Sequence, residues 1–348
     1  MTNRVEKLRK KLNMGEGVLI SSKANIFYYS GFTSEDGMLY ISKDKAALLT
    51  DSRYTLQAKL EAPDFEAVIN KTKEYLKEIT EDKIYIEENY LTVKNREMLE
   101  ASLGSKELAG GQSLISELRQ IKDEDEIKRI KAAEDLGSEG FRHILGFLKP
   151  GVKERDIALE LEFFMRKNGA SSLSFDTICA SGVRSAMPHG TASDKEIKTG
   201  ELVTLDFGCI LDGYCSDMTR TVIVGHPSDE KQIEIYNTVL NAQKAALDIL
   251  ASGVHCAEAD KAARDLIKNA GYGDCFGHSL GHSLGIEIHE NPNLSEKSKD
   301  ILKPGNVVTV EPGIYIENFG GVRIEDVVVI TEKGYINLTT SDKELIIL

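Results

Sequence analysis

The chain has 348 residues, which as a prior means about two domains. Its 56 Asp and Glu outnumber its 43 Lys and Arg, for a formal charge of -13, and this balance argues against non-specific binding to nucleic acid or an anionic membrane. No run of about 18 apolar residues exists, so no membrane-spanning helix is expected, and the charged, amphipathic start MTNRVEKLRKKLNMGEG lacks the apolar core of a secretory signal.

In chain order, Val18–Ile20, Met38–Ile41, Ala46–Leu49 and Lys83–Glu87 read as strands. Residues 1–12, 53–61, 71–79 and 92–101 read as helices from their spaced apolar positions. This alternation predicts a small α/β domain over residues 1–120. A charge-rich stretch, RQIKDEDEI, then leads into a long helical pattern ending at Lys149-Pro150-Gly151, and a second domain is placed over 121–348. The Glu-rich stretches 81–100 and 117–134 read as solvated faces. The five cysteines (Cys179, Cys209, Cys215, Cys256, Cys275) show no C-x-x-C spacing. Free thiols in a reducing cytoplasm follow, with Cys209 and Cys215 as small buried hydrophobes.

The second domain is internally duplicated. KTGELVTLDFG (198–208) matches KPGNVVTVEPG (303–313), with Asp206 falling on Glu311. Upstream, LKPGVKERDIALELEFFMRKNG (148–169) matches LASGVHCAEADKAARDLIKNAG (250–271), each a Gly-Val turn and an amphipathic helix that stops at Gly. Two related halves facing each other would leave a cleft between them.

Each half carries a pair of acids on a β-ribbon. After Leu202–Gly208 comes a turn signal, Asp212-Gly213, and Ser216–Val222 runs back. A loop at 211–212 places Asp206 opposite Asp217; a loop at 212–213 shifts the pairing by two and keeps both on one face. In the other half Val307–Glu311 leads out, Asn318-Phe319-Gly320-Gly321 turns, and Val322–Val327 returns, so that Glu311 and Glu325 are symmetric about the turn. Four converging carboxylates repel one another unless a cation lies between them. Three of the seven histidines stand in GHSLGHSLGIEIHE (277–290), and His189 stands in MPHG. Oxygen-rich donors with one imidazole suit two divalent ions, with manganese, cobalt, iron and zinc as candidates. Two such ions roughly 3.5–4 Å apart can hold a nucleophilic hydroxide between them.

Asp206 in LDFG, Asp217 in SDMTRT, His282 in GHSLGHSLGIEIHE, Glu311 in EPGIY and Glu325 in VRIED resemble the five metal ligands of the pita-bread metallopeptidases, the family of methionine aminopeptidase, aminopeptidase P and prolidase. The N-terminal part is similar to the creatinase-like domain of the proline-directed branch through FYYSGF (27–32) and DSRY (51–54). The resemblance implies an α+β chain: a smaller creatinase-like α/β domain, then a duplicated pita-bread domain. It implies that Asp217 chelates one ion, that Asp206 and Glu325 bridge both, and that His282 and Glu311 complete the coordination of the other. A bridging hydroxide would attack the scissile carbonyl, with Glu311 passing on the proton. His189 and His289 match the family's substrate histidines, His278 matches a further cleft histidine, and Tyr315 and Arg323 match positions in the cleft or just behind it. Ser283 departs from the Gly that many relatives carry after the ligand histidine, and is expected to narrow the pocket.

The function implied is a cytoplasmic, homodimeric peptidase, manganese-loaded in the first instance, that cleaves before proline in Xaa-Pro dipeptides or at peptide N-termini. An X–Pro bond has no N–H for an ordinary peptidase to grip, and a site built on metals with a shaped slot avoids that need. A methionine or general aminopeptidase of the same fold is one rival. A metal-free relative or binding module is the other. His143, His226 and His255 read as surface or core fillers, and Arg53 and Tyr54 as a dimer contact, a cleft closure or a plain helix start.

Overall fold

The computed structural model describes residues 2–348, which form two compact units meeting in sequence between Arg119 and Gln120. The first is a mixed sheet with strand order β4-β3-β2-β1-β5-β6. Its strands are β1 (Glu16–Ile20), β2 (Gly37–Ser42), β3 (Ala46–Thr50), β4 (Glu66–Ile69), β5 (Lys83–Ile86) and β6 (Glu107–Gly110). Six helices accompany them: α1 (Thr2–Lys11), α2 (Lys23–Ser30), α3 (Thr55–Glu61), α4 (Thr72–Glu78), α5 (Val93–Leu103) and α6 (Gln112–Ser116). The edge strands β4 and β6 escape the sequence reading because ELAG and EAVI are short and half exposed. Helix α2 escapes it because KANIFYYS is buried almost all round and shows no amphipathic period. Its start is capped by Ser22, whose hydroxyl accepts the Asn25 N–H, and its end by Gly31 at φ 81°. Arg53 lies in a short 3-10 turn before α3 and pairs with Asp51 and Asp36.

The second unit shows the duplication as two copies of one arrangement. In the first, α7 (Glu124–Leu145) and α8 (Glu154–Lys167) pack with β8 (Ile178–Ser181), β9 (Glu201–Phe207) and β12 (Met218–Val224) around one apolar core. In the second, α9 (Glu230–Ile249) and α10 (Cys256–Ile267) pack with β13 (Gly281–Ser283), β15 (Val307–Val310) and β18 (Asp326–Thr331) around another. The strand orders correspond: β12-β9-β8 against β18-β15-β13, the latter flanked by β14 (Glu290–Leu294) and β19 (Gly334–Asn337). Short pieces complete the ribbons: β7 (Ser172–Leu173), β10 (Cys209–Leu211), β11 (Tyr214–Cys215), β16 (Gly313–Ile316) and β17 (Gly320–Arg323).

Helix α7 opens on a capping box, Asp123 with Glu126, and stops at Leu145, short of the expected Lys149-Pro150-Gly151. Gly146 caps it, and Lys149, preceding a proline, disfavours helical backbone. The stretch 117–134 is not simply a solvated face: Arg119, Lys122, Glu126 and Glu134 are buried. All five cysteines are free thiols, with Cys209 and Cys215 buried. No helix among the described residues is long and apolar enough to cross a membrane.

Candidate functional site

The two ribbons decide where the acids stand. In the first half, Asp212 (φ 48°) and Gly213 (φ 81°) form a two-residue turn between Leu211 and Tyr214, the positive-φ pair that matches strand twist. The loop is therefore at 212–213. Asp206 faces Thr219, and Asp217 sits just before β12, two residues nearer the turn. In the second half the turn is Glu317–Phe319, shorter than the four residues expected, with Gly320 and Gly321 already inside β17. One register runs through both ladders, Val310↔Asp326 and Gly313↔Arg323, so Glu311 and Glu325 face each other between them. Two glycines permit the close backbone approaches here. A Cβ on Gly208 would lie 1.9 Å from the Ser216 carbonyl oxygen, and one on Gly281 would lie 2.0 Å from that of Thr309.

The side chains meet in a cleft of about 520 Å³ lined by Asp206, Asp217, His282, Glu311 and Glu325 together with His189, His278, His289 and Arg323. One ligand atom each from Asp217, His282 and Glu325 falls within 4.8 Å of the others. His282 Nε2 stands 3.4 Å from Glu311 Oε1 and 3.6 Å from Asp217 Oδ2. Its Nδ1 faces the Ser283 carbonyl at 3.2 Å, which leaves the Nε2 lone pair aimed at the acids. Thr309 joins two of these groups: its hydroxyl accepts the His282 N–H (3.0 Å) and donates to Glu311 (3.1 Å). The Thr219 hydroxyl donates to Glu325 Oε2 at 2.7 Å.

Burial and crowding set the electrostatics. Desolvation, then the neighbouring Glu325, Asp206 and Glu311, push the Asp217 carboxyl well above its ordinary range. Glu325 is raised in the same way, by desolvation and then by Glu311 and Asp206. Glu311 is pushed up to about 8, by burial first and Asp206 next. Burial, then His289, lowers His282 to about 4, keeping it neutral. Three carboxylates that resist ionisation beside a neutral imidazole form a donor set that a divalent cation would relieve and that nothing else in the cleft compensates fully. The residues present therefore fit divalent metal.

Arg323 is buried and already engaged. Its Nη2 donates to Asp206 Oδ2 (2.5 Å), its Nη1 to the Tyr315 hydroxyl (2.8 Å) and its Nε to Thr219 (3.0 Å). The Tyr315 O–H in turn meets His278 Nε2 at 2.8 Å, with His278 Nδ1 facing the Ser279 carbonyl. Tyr315 thus stands one layer behind the cleft and is not among the residues that line it. Ser283 also departs from expectation. Its side chain does not narrow the pocket; it is fully buried, and its hydroxyl accepts a hydrogen bond from Lys122. His143 lies elsewhere, stacked on Phe164 and bonded to Glu160.

Several supports were missed. Glu134, in the middle of α7, accepts the Asp217 N–H (2.8 Å) and the Thr339 O–H (2.9 Å), and burial pushes its carboxyl up to about 8. Arg220, fully buried, donates to the Glu325 carbonyl (2.5 Å), to Asp326 (2.8 Å) and to the Ser341 carbonyl (2.8 Å). A charged residue in a strand otherwise made of uncharged, mostly β-branched residues, as Arg220 is in MTRTVIV, was the available signal. Ile178, Ile288 and Asn293 also line the cleft.

Residues 128–332 match the model of metallopeptidase family M24, and residues 4–121 match the creatinase/prolidase N-terminal domain. The chain belongs to metallopeptidase family M24. It is a metallopeptidase with a creatinase-type N-terminal domain and a pita-bread catalytic domain, and its family implies divalent metal ions. An Xaa-Pro dipeptidase from Bacillus anthracis superposes with a TM-score of 0.96 at 45% identity, over 100% of this chain and 99% of that one. An X-Pro aminopeptidase from Thermotoga maritima gives 0.92 at 39% identity, over 99% and 100%. An Xaa-Pro dipeptidase from Pyrococcus furiosus is 40% identical over 99% of this chain and 100% of its own length.

Proposed function

We propose that this M24 peptidase hydrolyses the bond before proline, in Xaa-Pro dipeptides or at the N-termini of Xaa-Pro peptides. The observation that carries the reading is the convergence of Asp206, Asp217, His282, Glu311 and Glu325 from two duplicated halves onto one cleft that also presents His189, His278 and His289. Relatives named for Xaa-Pro cleavage, matching over nearly their whole length, support the substrate class.

In this reading Asp206, Asp217, His282, Glu311 and Glu325 hold two divalent ions, manganese being the first to test, ahead of cobalt, zinc and iron. When bound, such ions would supply Lewis acidity and a water of lowered pKa. The protein's own groups do the rest. Glu311, buried beside His282, accepts the proton from the attacking water and returns it to the leaving nitrogen. His189 and His289 donate toward the oxygen on which charge develops. Arg323 holds Asp206 in place through its Nη2, and the Tyr315–His278 pair holds the far end of that guanidinium. The slot walls Ile178 and Ile288 give a proline ring an apolar seat.

A cytoplasmic homodimer completes the reading, the free thiols suiting a reducing compartment. The test is a panel of Ala-Pro, Ala-Pro-Ala and Met-Ala peptides with manganese, cobalt and zinc. Cleavage restricted to proline-containing substrates is expected. Preferential cleavage of Met-Ala would instead select the methionine aminopeptidase alternative, and chelator-insensitive turnover would remove the metal.

A further inference from the structure

The two halves share a device behind the cleft. Ser181 pairs with Val203, and Ser283 pairs with Val308. Val203 and Val308 are equivalent in the sequence repeat, so the two serines hold one structural position. Each is fully buried, and each hydroxyl accepts a lysine ammonium: Ser181 from Lys195 at 2.7 Å, Ser283 from Lys122 at 2.9 Å. Each also adjoins a buried glutamate that closes the base of a histidine-bearing loop. In the first half Glu154 accepts the Ser181 N–H and O–H (2.7 and 2.8 Å) and the Ser193 O–H (2.6 Å), tying together the two ends of the loop that carries His189.

In the second half Ser283 faces Glu290 across the β13–β14 ladder, after a register shift between His282 and Ser283. Residues 284–289, ending in His289, form the loop between them. Lys122, its side chain 1% exposed, reaches both ends through Nζ, Ser283 Oγ and Glu290 Oε2 (3.1 Å). Gly285 lets the loop lie against this pair; a Cβ there would stand 3.0 Å from Glu290 Oε1 and 3.1 Å from Lys122 Cε. The ring of His289 packs edge-on against that of His282 at 4.5 Å, so a shift of the loop base moves one cleft histidine relative to the other.

We propose that Lys122, Ser283 and Glu290 form a positioning clamp that fixes His289 in the cleft, the counterpart of the Glu154–Ser181–Ser193 clamp around the His189 loop. The residue that departs from the family pattern, Ser283, is the acceptor that completes it. None of the three touches substrate; they act through the loop. The proposal rests on the peptidase reading for its kinetic arm only.

Its test uses the full chain carrying Ser283→Ala, and separately Lys122→Met with Glu290→Gln. The double variant avoids the folding defect expected when Lys122→Met alone strands a buried carboxylate. Three quantities are read: metal content, kcat and KM on Ala-Pro-Ala, and the rate at which diethyl pyrocarbonate modifies His289 and His189, resolved by peptide mass spectrometry. Both variants are expected to keep wild-type metal content and a KM within about twofold, to lose about five- to tenfold in kcat, and to show His289 modification altered at least about threefold with His189 unchanged. Unchanged kcat and His289 reactivity overturn the clamp. So does an equal change at both histidines, or a kcat loss that follows metal loss, since each marks a general packing contact. If the wild type cleaves no Xaa-Pro peptide, the functional reading fails, and the His289 reactivity still decides the clamp.

Discussion

The two halves of the catalytic unit share one strand frame and place their acids differently on it. In the second half Glu311 and Glu325 face each other about a three-residue turn. In the first the two-residue Asp212-Gly213 turn sets Thr219 opposite Asp206, so Thr219 holds the position that Glu325 holds in its own half, and the second acid is moved to Asp217. The shift has a use. Thr219 is left between the halves, where its hydroxyl donates to Glu325 and accepts from Arg323, while its carbonyl accepts the Glu325 N–H at 3.1 Å. A perfect repeat would have put a further carboxylate at that point, with more repulsion and no donor.

The largest break in this arrangement is the loss of a proposed ligand. Asp217→Ala or His282→Ala should lower turnover by about three orders of magnitude or more, with the circular dichroism spectrum unchanged. Normal kcat in either variant would mean that the acids are structural. The asymmetry itself is sharpened by a pair of isosteric changes in β12. Thr219→Val removes the hydroxyl from Glu325 and Arg323, and about a tenfold drop in kcat is expected. Thr221→Val removes a hydroxyl that serves only the Arg323 backbone and Thr204, so kcat should stay within about twofold. Both should cost about 1–2 kcal/mol in denaturant unfolding, which separates stability from positioning.

Much of the fold was legible because it is local. The alternating runs of the first unit, the helix stops at glycine and the palindromic spacing of acids about a turn are all written within about twenty residues. The Glu311–Glu325 pair was legible for the same reason, since a ribbon brings together residues equidistant from its turn, whereas Asp217 lies two residues off the symmetric place opposite Asp206. The supports were not. Lys122 reaches Ser283 across 161 residues, and Glu134 reaches Asp217 across 83, and no periodicity carries such pairings. Both lie in a stretch whose composition suggests a solvated helix. Burial of a charge there is a tertiary decision, made affordable only by the partners it meets. The ribbon's register was also undecided by spacing alone; the positive φ at Asp212 and Gly213 selects it.

Removing metal should act on the two halves together and depend on pH with a defined sign. Glu311 has a folded pKa of about 8 against an ordinary 4.5, and Asp217 and Glu325 are raised as well. A raised carboxyl binds its proton more tightly when folded, so its contribution is full below the unfolded value and is lost as pH rises through the folded one. Metal-free protein should therefore lose stability between about pH 5 and about pH 8, where loaded protein gains from tighter metal binding as the ligands deprotonate. The Tm gap between loaded and chelated protein should widen across that window by several degrees, of the order expected for about 1–2 kcal/mol in a chain this long. A gap that is constant with pH would show that the acids are not crowded in the folded state.

The smallest effect concerns the turn that creates the asymmetry. Gly213 has φ 81°, a conformation that costs an L-residue about 1 kcal/mol, and it follows Asp212 at φ 48°. Gly213→Ala should lower unfolding free energy by about that amount, with kcat nearly unchanged, because Asp206 and Asp217 are held downstream by Arg323 and Glu134 rather than by the turn. The contrasting change, Asn318→Gly at φ 60°, relieves the same kind of strain in the other ribbon and should be neutral or slightly stabilising. If Gly213→Ala instead abolished turnover while the protein stayed folded, the register of the first ribbon would depend on its turn alone, and the buried anchors would have no part in holding Asp217 two residues away from its symmetric place.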